Sequence, residues 1–270
     1  MDLEQNQLAS LFPNIAVQMR QNLANIRLVT QRLIPASERE NNPDIDAKAS
    51  IMDQSYYRLL RLVQCLDHAS KLTDESPLSL ETCDIVDFVG NICDKAGDLA
   101  PMLGLELRFL CTSPEHRCAI NRNATEQILY HLLSNAFKFT PSGGTVTVEL
   151  SFTQKQVRLS VTDTGCGVPE NRRAALFERY RHTEYRDTHI HGLGLGLPLC
   201  RCMAERQGGT LVMTDSPSGS GSKFILSLPN RQRIKLSDVP PLLPPDTVNK
   251  ALLYLSDALP HKAFLVRHLD

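Results

Sequence analysis

The chain has 270 residues, 42% of them hydrophobic and 22% charged, with 29 basic against 30 acidic side chains and a formal net charge of −1. That apolar share supports a real core and excludes a mainly disordered chain, while the charge balance leaves no electrostatic footprint for non-specific nucleic-acid binding. At about 100–200 residues per domain, the length suggests one large or two modest domains.

The start, MDLEQNQLAS, has neither the basic beginning nor the apolar stretch of a secretory leader. No run approaches the roughly 18 uninterrupted apolar residues that a spanning helix needs. The eight cysteines are scattered and no CxxC occurs, so they read as reduced packing residues rather than disulfides or a metal site. The expectation is a soluble cytoplasmic protein with no membrane span and no nucleic-acid partner.

In chain order, residues 1 to about 34 read as one long helix. Leu8, Phe12, Ile15, Met19, Asn22, Ile26, Val29 and Leu33 follow at alternating steps of four and three, a heptad seam with one polar member. PASERENNPDID (35–46) breaks it, and a second seam runs through Ala49, Met52, Tyr56, Leu59, Val63 and Leu66. Two long helices joined by a polar loop make a helical hairpin. Alone it buries too little, so dimerisation into a four-helix bundle is the natural remedy.

From Leu78 the periodicity changes. Residues 84–101 are helical in pattern, GLELRFLC (104–111) alternates like a strand, and 122–139 form an amphipathic helix. TVTVELSF (145–152) and QVRLSVTD (156–163) are two strands around a short turn, which predicts a hairpin. A helix over 194–207 and two strands, TLVMTD and SKFILSLP, close the region. Mixed helices and largely antiparallel strands predict an α+β fold, a two-layer sandwich. RQRIK and VPPLLPP (239–245) then read as a linker. A short apolar helical pattern follows, through Val248, Leu252, Leu255 and Leu259.

The chemistry begins with absences: there is no GxxxxGK[ST], no HExxH and no GxSxG. Four short elements nevertheless occur in order. In HLLSNAFKFT (131–140), His131, Asn135 and Lys138 project from one helical face. An amide oxygen suits Mg²⁺, which takes hard oxygen donors and leans on substrate phosphates for the rest; Lys138 would meet phosphate charge. Taken alone, this segment reads better as a solvated polar face on a core helix. In DTGCGVP (163–169), Asp163 ends a strand and can accept from an exocyclic amine. Gly165 and Gly167 permit a tight turn and close approach to a ligand, although a structural turn with a capping aspartate would look the same. LFERYRH (176–182) carries Phe177, Arg179 and Arg181. GLGLGL (192–197) opens a helix, and its backbone N–H groups form a ready anion site.

Taken jointly, these elements resemble the sensor histidine kinases of two-component systems, within the superfamily that includes the gyrase and MutL ATPases. The resemblance covers about residues 75–230: N box, DTGCGVP glycine box, phenylalanine box, GLGLGLPLC glycine box and closing GSGSKFILSLP. It implies ATP and Mg²⁺ as cofactors, with Asn135 on the metal, Lys138 on phosphate and Asp163 on the adenine amine. Gly165 and Gly167 would shape the adenine side. Arg179 would sit in a phosphate-facing lid, whose end Gly192, Gly194, Leu195 and Gly196 would hold. His131 stands where the family usually has a second asparagine; imidazole can still donate to a phosphate oxygen.

The hairpin resembles the family's dimerisation and histidine-phosphotransfer domain, and here the match breaks. AVQMRQNL (16–23) fits the acceptor frame at Arg20 and Leu23, but Val17 stands at the histidine, Gln18 at the acid and Asn22 at the proline. Valine cannot accept a phosphoryl group, and Gln18 cannot serve as general base. Val17 falls opposite the seam, so a neighbouring domain or partner is expected to cover it. His68 on the second helix is a poor substitute acceptor.

The expected organisation is a dimerising hairpin without its acceptor (1–74), a histidine-kinase-like ATP-binding domain (75–230) and a Pro-rich linker with a short helical tail (231–270). Several functions stay open: a Mg²⁺–ATP-binding signalling homodimer that does not autophosphorylate in the usual way; a divergent kinase acting in trans or at His68; and an ATP-responsive pseudokinase scaffolding a response regulator or partner kinase. Hydrolysis without transfer is disfavoured by the hairpin and the short lid.

Overall fold

The computed structural model describes residues 2–70, 76–177, 196–216, 219–231 and 248–269, with side chains described from Pro13 in the first helix and as far as Asp67 in the third. The chain opens with α1 (Asp2–Leu33), a short α2 (Ala36–Asn41) and α3 (Pro43–Ser70). α1 and α3 pack antiparallel, with Arg20 beside Asp67 at one end (3.7 Å) and Arg27 on Asp53 at the other (3.1 Å).

The buried face of α1 differs from the expected seam. Ala16 and Leu23 join Tyr57, Leu60 and Val63 of α3 in the core. Ile15, Met19, Ile26, Val29 and Leu33 are exposed, as are Met52 and Leu59 of α3. The wholly buried Ala16 and the buried Leu23 lie on the strip next to the seam, and that strip enters the core shared with α3.

The second region is built on a five-stranded sheet of β2 (Glu106–Cys111), β4 (Thr145–Phe152), β5 (Gln156–Asp163), β7 (Ser222–Pro229) and β6 (Thr210–Asp215), in that order. A small antiparallel pair, β1 (Glu81–Asp84) and β3 (Arg117–Ile120), stands apart. β4 runs parallel to β2, and the remaining neighbours are antiparallel. Alternation along β4 sends Val146, Val148 and Leu150 into the core, while Glu149 faces out and meets Lys223 of β7. Three helices cover the inner face: α4 (Ile85–Gly97), α5 (Arg122–Phe139) and α7 (Gly196–Arg206). Asn121 caps α5 by accepting from the Ala124 N–H at 2.8 Å, and Ile128, Leu129, Leu132 and Leu133 are fully buried. A one-turn α6 (Glu170–Arg173) follows β5.

The last described segment holds α8 (Lys250–Leu255) and two 3-10 turns, and it packs on α3 and α5. Leu252, Leu255 and Phe264 are completely buried, each worth about 1.5–3 kcal/mol of transfer free energy. Arg39 of α2 pairs with Asp46 (2.8 Å) and Asp53 (2.7 Å) and donates to the Phe264 carbonyl, while Asp46 accepts from the Val266 N–H. Among the described residues no helix is long and apolar enough to cross a membrane. None of the eight cysteines is paired.

Candidate functional site

β5 ends at Asp163, and the next residues turn sharply across the C-terminal end of α5. Asp163 is 5% exposed. Its Oδ1 accepts from the Gly165 N–H (2.9 Å) and the Ser222 N–H (3.2 Å), while Oδ2 accepts nothing among the described residues. Burial pushes this carboxyl above its ordinary value, and the two N–H groups offset part of that. A Cβ at Gly165 would run into the Phe139 carbonyl, and one at Gly221 into the Asp163 carbonyl. Gly221 also holds φ +89°, a left-handed conformation that side chains rarely adopt. The result is a carboxylate fixed by one oxygen and free at the other, ringed by backbone. Arg173 donates to the Val168 carbonyl (3.0 Å) and to Asp215 (2.9 Å), tying the segment after the turn to β6. Phe177 packs against the core beneath the Arg201 guanidinium.

α5 presents His131, Asn135 and Lys138 along one face. Asn135 is partly buried and makes no hydrogen bond among the described residues, leaving a hard oxygen donor of the kind Mg²⁺ takes. His131 lies against Gly196 at the start of α7, where an added Cβ would come within 3.2 Å of its Nδ1. That imidazole also meets Arg61 of α3 (3.5 Å) and the edge of Tyr254. Lys138 contacts Asp257 of the C-terminal segment at 3.3 Å. Arg61 holds the same carboxylate oxygen at 3.1 Å and donates to Ser134 at 3.0 Å. Burial, reinforced by Arg61 and Arg58, pushes the Lys138 amine below its ordinary value, against the opposing pull of Asp257.

The structure therefore sets Asp163, Gly165 and Gly167 at one end of α5, and gathers His131, Lys138 and Gly196 towards α3 and the C-terminal segment. Arg179, Gly192, Gly194 and Leu195 lie outside the described residues, as does the side chain of His68. Val17 is 46% exposed and Gln18 is exposed, so the described residues of this chain do not cover Val17. Arg61, Tyr254 and Asp257 were not singled out as site residues by sequence reasoning. For Tyr254 and Asp257 the only signal is the apolar spacing after Val248, which indicates a helix without indicating where it docks.

A mixed sheet covered on one face by helices, with glycine turns at one end and an amide and a lysine along one helix, defines a nucleotide-binding ATPase fold. Residues 120–232 match the family described as histidine kinase-, DNA gyrase B-, and HSP90-like ATPase. The chain carries a domain of that family, and its relatives are sensor histidine kinases. It is 30% identical over 227 residues to hybrid signal transduction histidine kinase D of Dictyostelium discoideum, covering 81% of this chain but 14% of that protein. The ShkA full-length structure in complex with AMPPNP matches with a TM-score of 0.61 at 26% identity, over 83% of this chain and 47% of that one. The catalytic domain of histidine kinase ThkA shares the fold, with a TM-score of 0.51 at 21% identity over 57% of this chain and 99% of that domain. The chain spans well under two thirds of the first curated relatives it matches, 14%, 23% and 48% of their lengths.

Proposed function

We propose that this chain binds Mg²⁺–ATP and works in two-component signalling as a homodimer that does not phosphorylate its own hairpin in the usual way. The observation that carries the nucleotide reading is Asp163: one oxygen is locked by two backbone N–H groups, and the other is left to accept from the adenine amine. Asn135 offers its amide oxygen to Mg²⁺, whose role is to bridge and neutralise phosphate oxygens. Lys138, with His131 beside the start of α7, supplies positive charge at the phosphate end. Gly165, Gly167 and Gly221 bring backbone against the base without side chains in the way.

The loss of self-phosphorylation rests on Val17 and Gln18, which offer neither a nucleophile nor a base. The exposed Ile15, Met19, Ile26, Val29, Met52 and Leu59 supply an apolar face for a second hairpin, so residues 1–74 are the dimerising unit. The partner would be a response regulator or another kinase. The test is incubation of purified protein with γ-labelled ATP and Mg²⁺, followed by acid and alkali treatment. We expect nucleotide binding without label. Acid-labile label that disappears in His68→Ala would replace this reading with a relocated acceptor, and no binding at millimolar ATP would sink it.

A further inference from the structure

Two cationic side chains hold one carboxylate at the proposed phosphate end of the site, and a third binds the residue before it. Arg61 and Lys138 both contact Asp257 Oδ2, and Arg58 donates to the neighbouring Ser256 carbonyl at 3.2 Å. His131 lies beside Arg61. These come from two different elements, α3 and α5, and Asp257 pairs with both Arg61 and Lys138. Lys138 is also the residue assigned to phosphate in the nucleotide reading.

We propose that Asp257 is a built-in occupant of the phosphate subsite, an intramolecular anion that ATP must displace. The proposal rests on the Mg²⁺–ATP reading above and adds a regulatory contact to it. A carboxylate held by a lysine and an arginine copies what a phosphate oxygen would accept from the same two groups. A carboxylate and a phosphate at the same ammonium repel each other at close range, so the tail and the nucleotide compete. The exchange need not unpack the tail. Asp257 sits in the turn following α8, after the buried Leu252 and Leu255 and before the buried Leu259. The turn is held by the buried Ser256, whose hydroxyl donates to the Leu253 carbonyl and whose own carbonyl accepts from Arg58, so displacing Asp257 breaks those bonds while the apolar anchors on either side stay seated. The tail thereby sets the nucleotide concentration at which the site fills, and any partner that lifts the turn opens it.

The test compares wild type with Asp257→Asn, titrating ATP and AMP in the presence of Mg²⁺ by displacement of a fluorescent ATP analogue. Asp257→Asn is expected to bind ATP about tenfold more tightly, with AMP changed far less because it lacks the outer phosphates. Tenfold corresponds to about 1.4 kcal/mol. Equal ATP affinity, tighter binding of both nucleotides alike, or weaker ATP binding would each overturn the proposal; the last would make Asp257 a supporting ligand instead. If neither protein binds ATP at millimolar concentration, the nucleotide reading itself fails, an outcome distinct from equal binding by both. Because the variant could fold poorly, hydrogen exchange on wild type gives a second readout. Saturating Mg²⁺–ATP is expected to speed exchange in a peptide covering residues 256–259, and unchanged or slower exchange would overturn the displacement.

Discussion

At the end of the site proposed for adenine, Asp163 is held by backbone N–H groups from its own turn and from β7, and Oδ2 accepts nothing among the described residues. At the end proposed for phosphate, Lys138 and Arg61 share a carboxylate from the far end of the chain. The first end is finished by backbone groups of two neighbouring strands and the turn between β5 and α6. The second is assembled from α3, α5 and the tail, so its chemistry depends on how those three pack. One motif set has thus produced a preorganised half and a contested half, and the contested half is the place where regulation can enter.

The contrast is broken most severely at the preorganised end. Gly221→Val places a side chain against the Asp163 carbonyl at a residue with φ +89°. We expect a stability loss of about 4 kcal/mol or more, read by urea unfolding, together with loss of nucleotide binding. Tyr254→Ala attacks the other end, where Tyr254 stacks on Tyr130 with ring centroids 5.2 Å apart and is 6% exposed. A loss of about 3 kcal/mol is expected from the cavity, and the same unfolding measurement checks it. A loss well under about 1 kcal/mol would show that the tail is a loose appendage rather than part of the core.

Asp163→Asn separates binding from folding. Its amide oxygen can still accept from Gly165 and Ser222, but its amide N–H₂ would face the adenine amine donor to donor. ATP affinity is expected to fall roughly 10–100-fold, the range of a hydrogen bond to a charged group, by calorimetric titration. The smallest effect is in pH. Burial raises the Asp163 carboxyl in the folded state, so the native protein holds this proton more tightly than the unfolded chain. Its contribution to stability is fully present below the ordinary carboxylate pKa and is lost as pH rises through the raised value. Asp163→Asn should therefore be the more stable protein at neutral pH, by on the order of 1 kcal/mol or less, with the difference shrinking in acid. Paired thermal melts across pH check this, and a variant less stable at neutral pH would contradict it.

The legibility of the sequence followed the same divide. Helix 122–139 and the strands at 145–152, 156–163, 210–215 and 222–229 were readable because alternation or helical spacing runs long enough to register. β1 and β3 have four residues each, too few for a pattern. The sheet is largely antiparallel as expected; which pair is the parallel one, β2 with β4, was not legible because pairing direction leaves no mark on a single strand's residues. On α1 the seam is legible in the sequence, but the strip packed on α3 within one chain is not: Ala16 is small and silent in a hydrophobic pattern, yet it is wholly buried, while the larger Ile15 and Met19 of the seam remain exposed.

The sequence by itself determined the ordered motifs: Asp163 with its glycines, the helix bearing His131, Asn135 and Lys138, and the valine where an acceptor histidine would stand. These are local in the chain, set by spacings of a few residues that backbone geometry turns into shared faces. Only the tertiary structure decided what Lys138 meets. Arg58 and the Ser256 carbonyl are 198 positions apart, and Arg61 and Asp257 come together over a similar span. Nothing in a periodic pattern encodes such a pairing. It is fixed by where the tail's apolar side chains find room between α3 and α5, and the charges follow.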